Sequence, residues 1–240
     1  NKNEIKMKKW LLDLKNKELD KLYSSYLYSM DQLMIFYLSC VTFDNFPWLD
    51  GDENIKIRAS NDFHESATSI RFIGDVKKLI YDKKFQQLYR RNAIITAVSI
   101  LEFYLEKLII LLKIKNNEIK KIAKIDYYGK IYSSKTKILR YIFAISRQLQ
   151  IDNVITHYQA FLAFRKYIAI RNLIIHNKAI IDKYYIEKYV NNSKKMKEGD
   201  FLNISEGAFD DIFHFFNSHI KAFTRDIDNL LSKNANIGKR

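Results

Sequence analysis

The segment of this 240-residue chain best equipped for chemistry is Arg171-Asn172-Leu173-Ile174-Ile175-His176. Histidine is the side-chain type that gives or takes a proton near neutral pH. Arginine offers a planar, permanently charged fork that can hold two phosphate oxygens at once. Asn172, one helical turn before His176, could orient the imidazole or hold a phosphate oxygen. Together these types suit the cleavage of RNA, which carries its own nucleophile in the 2′-OH. Such a reaction needs proton transfer and charge neutralisation at phosphorus, but no protein nucleophile, metal or other cofactor. The expected catalytic set is therefore Arg171, His176 and Asn172, with no metal ligands.

Spacing alone is weak support. An arginine followed by histidine after four to six residues should arise by chance about 0.6 times in this composition. Arg58 and His64 also satisfy it, in a Ser-Asn-Asp stretch without helical periodicity. Requiring asparagine directly after the arginine lowers the chance to about 0.02. Context adds more. On an ideal helix over residues 153–178, Tyr158, Arg165, Asn172 and His176 fall within about 40° and make one polar stripe. Phe161, Leu162, Phe164, Tyr167, Ile168, Ile170, Leu173, Ile174 and Ile175 cover the other sides. A helix that is apolar nearly all round is buried on more than one face. A homodimer would bury the remainder and bring two stripes together. Arg171 points about 140° away from His176, so it reaches the site through a distorted helix, through its length, or by serving the partner protomer. Tyr158, Arg165 and Lys178 are expected as RNA contacts. An echo, Arg91-Asn92-Ala93-Ile94-Ile95-Thr96, has threonine in place of histidine and is expected to do structural work.

Residues Tyr167 to Asp182 resemble the motif region of HEPN domains (higher eukaryotes and prokaryotes nucleotide-binding). Ribonuclease members of that family carry arginine, often followed by Asn, Asp or His, then histidine after four to six residues. Arg171, Asn172 and His176 match this at the four-residue spacing, and the likeness extends loosely over about residues 80–235. It implies a homodimeric endoribonuclease leaving a 2′,3′-cyclic phosphate and a 5′-OH. It further implies a toxin or abortive-infection (antiviral) effector, restrained by an antitoxin or regulatory protein. Some HEPN domains are instead thought to be catalytically silent modules that bind RNA or a protein. That reading stays open, as does a scaffold whose charge is purely compositional.

The elements that must position these residues read as helices. Gly (6) and Pro (1) are scarce for so long a chain, which argues for long helices with short connections. The expected fold is an all-α, HEPN-like helical bundle over 76–240, with an N-terminal helical extension over 1–75. In that extension one or two helices span 4–40, and short alternating pieces near 55–58 and 69–73 could pair as a small β-hairpin. The periodic spacing then predicts helices over 83–113, 135–149, 153–178, 183–191 and 205–231, the last capped by Ser205. Residues 113–137 are Lys-rich and weakly periodic, a solvated connection or an RNA-backbone contact.

Composition sets the remaining bounds. Hydrophobic residues at 48% mark a globular chain, and a net charge of +14 permits an anionic partner, nucleic acid before membrane. Cys40, the single cysteine, allows no internal disulfide, which fits a cytoplasmic protein. The most apolar stretch, 93–112, is broken by Glu102, Glu106 and Lys107, so no membrane span is expected. Glu102 with Glu106, and Asp210, Asp211 with His214, read as solvated faces; His64, His157 and His219 lack nameable partners. No Gly-rich phosphate loop occurs, against nucleotide hydrolysis or dinucleotide binding.

Overall fold

The computed structural model describes residues 11–43, 56–59, 69–72, 84–122, 124–127, 130–133, 136–151, 158–190, 196–205 and 207–237. Its long elements are helices: α1 (Lys17–Phe43), α2 (Lys84–Leu111), α3 (Asn116–Lys121), α4 (Lys137–Leu149), α5 (Tyr158–His176), α6 (Lys183–Tyr189) and α7 (Ala208–Ile237). Two antiparallel two-stranded ribbons complete it, β1 (Lys56–Ala59) with β2 (Ser69–Phe72), and β3 (Lys124–Tyr127) with β4 (Lys130–Ser133). The all-α bundle expected from periodicity is the architecture found. The first ribbon sits at the two alternating pieces, Lys56 opposite Phe72 and Ala59 opposite Ser69. The boundary expected at residue 75–76 lies outside the described residues.

Two expectations need correction. Residues 113–137 are no plain connection: they hold α3 and the second ribbon. The signal was present, since Ile125 and Tyr127 alternate with polar residues and two residues ending in Gly129 separate the strands. The last helix starts at Ala208 and not at Ser205, with Gly207 directly before it, and it runs on to Ile237. Asp210 and Asp211 still occupy its first turn, where the helix dipole favours negative charge. Of the one or two helices expected over 4–40, residues 4–10 lie outside the described residues; α1 begins at Lys17, where Asn16 caps it: the Asn16 Oδ1 accepts from the backbone N–H of Glu18 (3.1 Å) and Leu19 (3.0 Å).

One core joins these helices. α2 is its centre, packed against α1, α4, α5 and α7. Its apolar residues recur every three to four positions, and Ala93, Ile94, Ala97, Val98, Leu101, Tyr104, Leu105 and Leu108 are all buried. Aromatic rings fill the seams. Tyr104 of α2 meets Tyr26 of α1 at 4.9 Å, and Tyr37 of α1 meets Phe209 of α7 at 4.4 Å. The Tyr104 hydroxyl lies 2.6 Å from Thr224 Oγ1; that threonine donates to the Ile220 carbonyl, so Tyr104 is the donor across the α2–α7 seam. The Glu102–Lys137 pair at 3.7 Å links α2 to α4 at the surface, where such pairs add little.

Asp228 ties the start of α1 to α7. This nearly buried carboxylate accepts from the backbone N–H groups of Lys15 (2.9 Å) and Asn16 (2.8 Å). Charge-assisted bonds of this kind are worth more than neutral ones, and their loss leaves two part-buried N–H groups without their acceptor. Asp228→Ala should therefore lower unfolding stability by about 2–3 kcal/mol in urea titration; an unchanged midpoint would show that this anchor carries nothing. Burial also raises the phenol pKa of Tyr23, Tyr26 and Tyr104 above the ordinary value of 10.0. A group raised in the folded chain contributes its full stability below the unfolded value and loses it as pH climbs toward the folded one. Thermal stability should hold from neutrality to about pH 9 and fall above about pH 10, as circular dichroism melts across that range would show.

Candidate functional site

α5 carries the candidate residues. Phe161, Phe164, Ile168 and Leu173 bury its inner side. Phe164 and Tyr167 lock it to α7 through Phe215 (4.8 and 5.2 Å) and Phe216 (5.6 and 5.8 Å), and Phe143 of α4 meets Phe161 edge-on. His219, for which the sequence offered no partner, belongs to this aromatic layer, its ring 4.2 Å from Phe215 and its Nδ1 2.8 Å from the Phe215 carbonyl. The outer side of α5 is only half covered: Leu162, Ile170 and Ile174 are partly buried and Ile175 is 40% exposed.

The helix stops at His176, two residues earlier than periodicity suggested, because the backbone turns left-handed at Lys178 (φ 51°) and Ala179 (φ 62°). The Leu173 carbonyl accepts from the N–H of both Asn177 (3.0 Å) and Ala179 (2.9 Å), closing the helix end. The Asn177 side chain donates to the Ile180 carbonyl at 2.6 Å. The chain beyond is then pinned to residues 199–202: Leu202 donates to Ala179 (2.8 Å), Ile181 to Asp200 (2.9 Å) and Gly199 to Ile181 (2.9 Å), with Ile180 bridging Phe201. α2 holds that strip from the other side. Gln87 exchanges bonds with Ile204 (2.9 Å each way), Arg90 donates to the Ile204 carbonyl (3.2 Å) and Arg91 to the Leu202 carbonyl (3.0 Å). Arg91, first residue of the echo hexapeptide, thus does structural work, and burial lowers its pKa.

The turn leaves His176 exposed at the helix end. Arg171, which ideal geometry aims away from that stripe, swings back instead. Its Nη1 donates to the Asn172 Oδ1 at 3.1 Å, while its buried Nε has no hydrogen-bond partner among the described residues. Arg171 and Asn172 are thus brought together; among the described residues no hydrogen bond or ion pair joins either to His176. Lys178 is exposed in the turn, just past the helix. Arg165 is half-buried about three turns before His176, its guanidinium 5.8 Å from the rings of both Phe161 and Tyr189. Tyr158 is the first residue of α5, and its side chain lies outside the described residues, as do His64 and His157.

α6 contributes side chains beyond those expected from sequence. Asp182 caps this helix, its Oδ1 accepting from the Tyr185 N–H at 2.7 Å. Tyr185 is buried, which pushes its phenol up to about 12. Tyr189 packs on it at 5.5 Å, and burial raises its pKa too, against the opposing pull of Arg165. The sequence signal was the run Lys183-Tyr184-Tyr185-Ile186-Glu187-Lys188-Tyr189, tyrosines interleaved with lysines.

Elsewhere, a pocket of about 250 Å³ opens between α1 and α2, lined by Ser25, Tyr26, Ser29, Thr96 and Ser99 among others; it includes none of Arg171, Asn172 and His176. Asp210, Asp211 and His214 are exposed on α7, and among the described residues no group of three or more His, Cys, Asp or Glu could hold a metal ion. No described helix is long and apolar enough to cross a membrane. No family model, curated protein or solved structure matches the chain.

The left-handed turn yields a test. A non-glycine residue in this conformation is strained by about 1 kcal/mol. Lys178→Gly should raise unfolding stability by about that amount in urea titration, and if Lys178 contacts RNA the same change should weaken binding. A destabilised variant would show that the turn is not held as described.

Proposed function

We propose that the protein is a metal-independent endoribonuclease whose site is built on Arg171, Asn172 and His176. The observation that carries this reading is the Arg171–Asn172 pairing. It brings the guanidinium to the side chain of Asn172, which lies one helical turn before exposed His176 on the same side of an ideal helix. In the proposed reaction His176 takes the proton of the 2′-OH as that oxygen attacks phosphorus. Arg171 stabilises the charge that develops on the phosphate oxygens, and Asn172 fixes the arginine. The 5′-oxygen leaves and takes a proton from solvent water, giving a 2′,3′-cyclic phosphate and a 5′-OH, and His176 later returns its proton to solvent. The half-covered outer side of α5 supports a homodimer in which two such ends share one cleft, a composite site. The resemblance of residues 167–182 to HEPN ribonucleases points the same way. On that likeness the biological role is that of a cytoplasmic toxin or anti-phage effector, held in check by an antitoxin or regulatory protein.

One observation favours a second reading, a silent module that binds RNA or a protein. Among the described residues of a single protomer no hydrogen bond or ion pair joins the Arg171–Asn172 pair to His176.

The deciding experiment is cleavage of structured and unstructured RNA in excess EDTA. Wild type should cut. His176→Ala and Arg171→Ala should each lower the rate by at least about 100-fold, with circular dichroism unchanged. Full activity in both variants would sink the assignment, and RNA bound but never cut by wild type would favour the silent module.

A further inference from the structure

We infer that α6 and the middle of α5 form a stacking platform for a base of single-stranded RNA, set along the same helix face as His176. The inference rests on the endoribonuclease reading for its substrate, and on separate residues for its geometry.

Tyr184 is 58% exposed, a large aromatic surface left in water. It is not a stray side chain: its ring meets Tyr189 edge-on at 6.4 Å, Tyr189 packs on buried Tyr185, and the Arg165 guanidinium lies 5.8 Å from Tyr189. The platform is therefore stiff, with its base in the core and its outer ring open. Guanidinium planes and tyrosine faces are the two surfaces on which unpaired bases stack.

Charge complements the rings. Lys183 and Lys188 are exposed on α6 and Lys166 on α5, while the acidic groups there are exposed Glu187 and Asp182, the latter engaged as the helix cap. This surplus suits a phosphate backbone passing the stacked base. A duplex keeps its bases stacked on one another and offers no face to Tyr184, so the occupant is a single strand. Position fixes the register. Arg165 and His176 lie on one side of α5, eleven residues apart, or about 16 Å along the axis. That is the reach of a few nucleotides between the held base and the phosphate at His176.

The test measures binding apart from cleavage, on full-length protein carrying His176→Ala, with a fluorescein-labelled single-stranded RNA and the same strand annealed to its complement. Adding Tyr184→Ala should weaken single-strand binding at least about fivefold and leave duplex binding unchanged. Tyr184→Phe should retain the affinity, because the stacking face survives. Lys188→Gln should weaken both RNAs and flatten the dependence on salt. Equal single-strand affinity in Tyr184→Ala and its parent would overturn the platform, even where wild type cuts RNA. Single-strand binding lost in Tyr184→Ala, beside a wild type that never cuts, would overturn only the ribonuclease reading.

Discussion

Leu173 closes its helix by accepting from both Asn177 and Ala179, and the candidate site depends on that closure. Two consecutive non-glycine residues in left-handed conformation are expensive, and they persist here because the surroundings over-determine them. Residues 199–204 supply the constraint. They pair with Ala179 and Ile181 on one side and are gripped on the other by Gln87, Arg90 and Arg91 of the central helix. The core helix α2 thus reaches the end of α5 through a backbone ladder, and what that ladder fixes is the point at which His176 emerges into solvent.

The two Arg-Asn segments show how one pattern serves two ends. Arg91 spends its guanidinium on a backbone carbonyl of the 199–204 strip, with exposed Asn92 beside it. Among the described residues Arg171 bonds to no such carbonyl and pairs with its neighbour Asn172. Both leave a buried Nε–H unpaired, as Arg90 does, so an orphan donor alone does not mark a functional arginine. The distinction lies in what stands one turn on: Thr96 bonds back to the Asn92 carbonyl, whereas His176 is presented to solvent at the end of its helix.

Much of the fold was legible because long amphipathic helices write their apolar face at a spacing of three and four. The packing of α2 through Ile94, Val98, Leu101, Leu105 and Leu108 follows from that spacing alone. The Asn16 cap and the second ribbon were legible in principle, from Asn16 ahead of Glu18 and Asp20, and from the alternation around Gly129. The reversal after His176 was not. No glycine marks the left-handed positions 178 and 179, which are set by a partner strand some twenty residues away. Nor could ideal helix angles show Arg171 turning toward Asn172: a long side chain reaches tens of degrees around a helix, and only its hydrogen-bond partner says which way. The aromatic contacts of α6 with Arg165 depend equally on tertiary placement, although the tyrosine–lysine run advertised the surface.

The central claim is that RNA supplies the nucleophile and the protein supplies a proton acceptor and a fixed charge. It is tested most directly by comparing one RNA strand with the same strand bearing a single 2′-deoxy sugar at the cleaved position, in excess chelator. The account predicts that both are bound alike, that the RNA is cut to a 2′,3′-cyclic phosphate and a 5′-OH, and that the deoxy strand stays intact at that position. Cleavage of the deoxy strand at the same bond would contradict it.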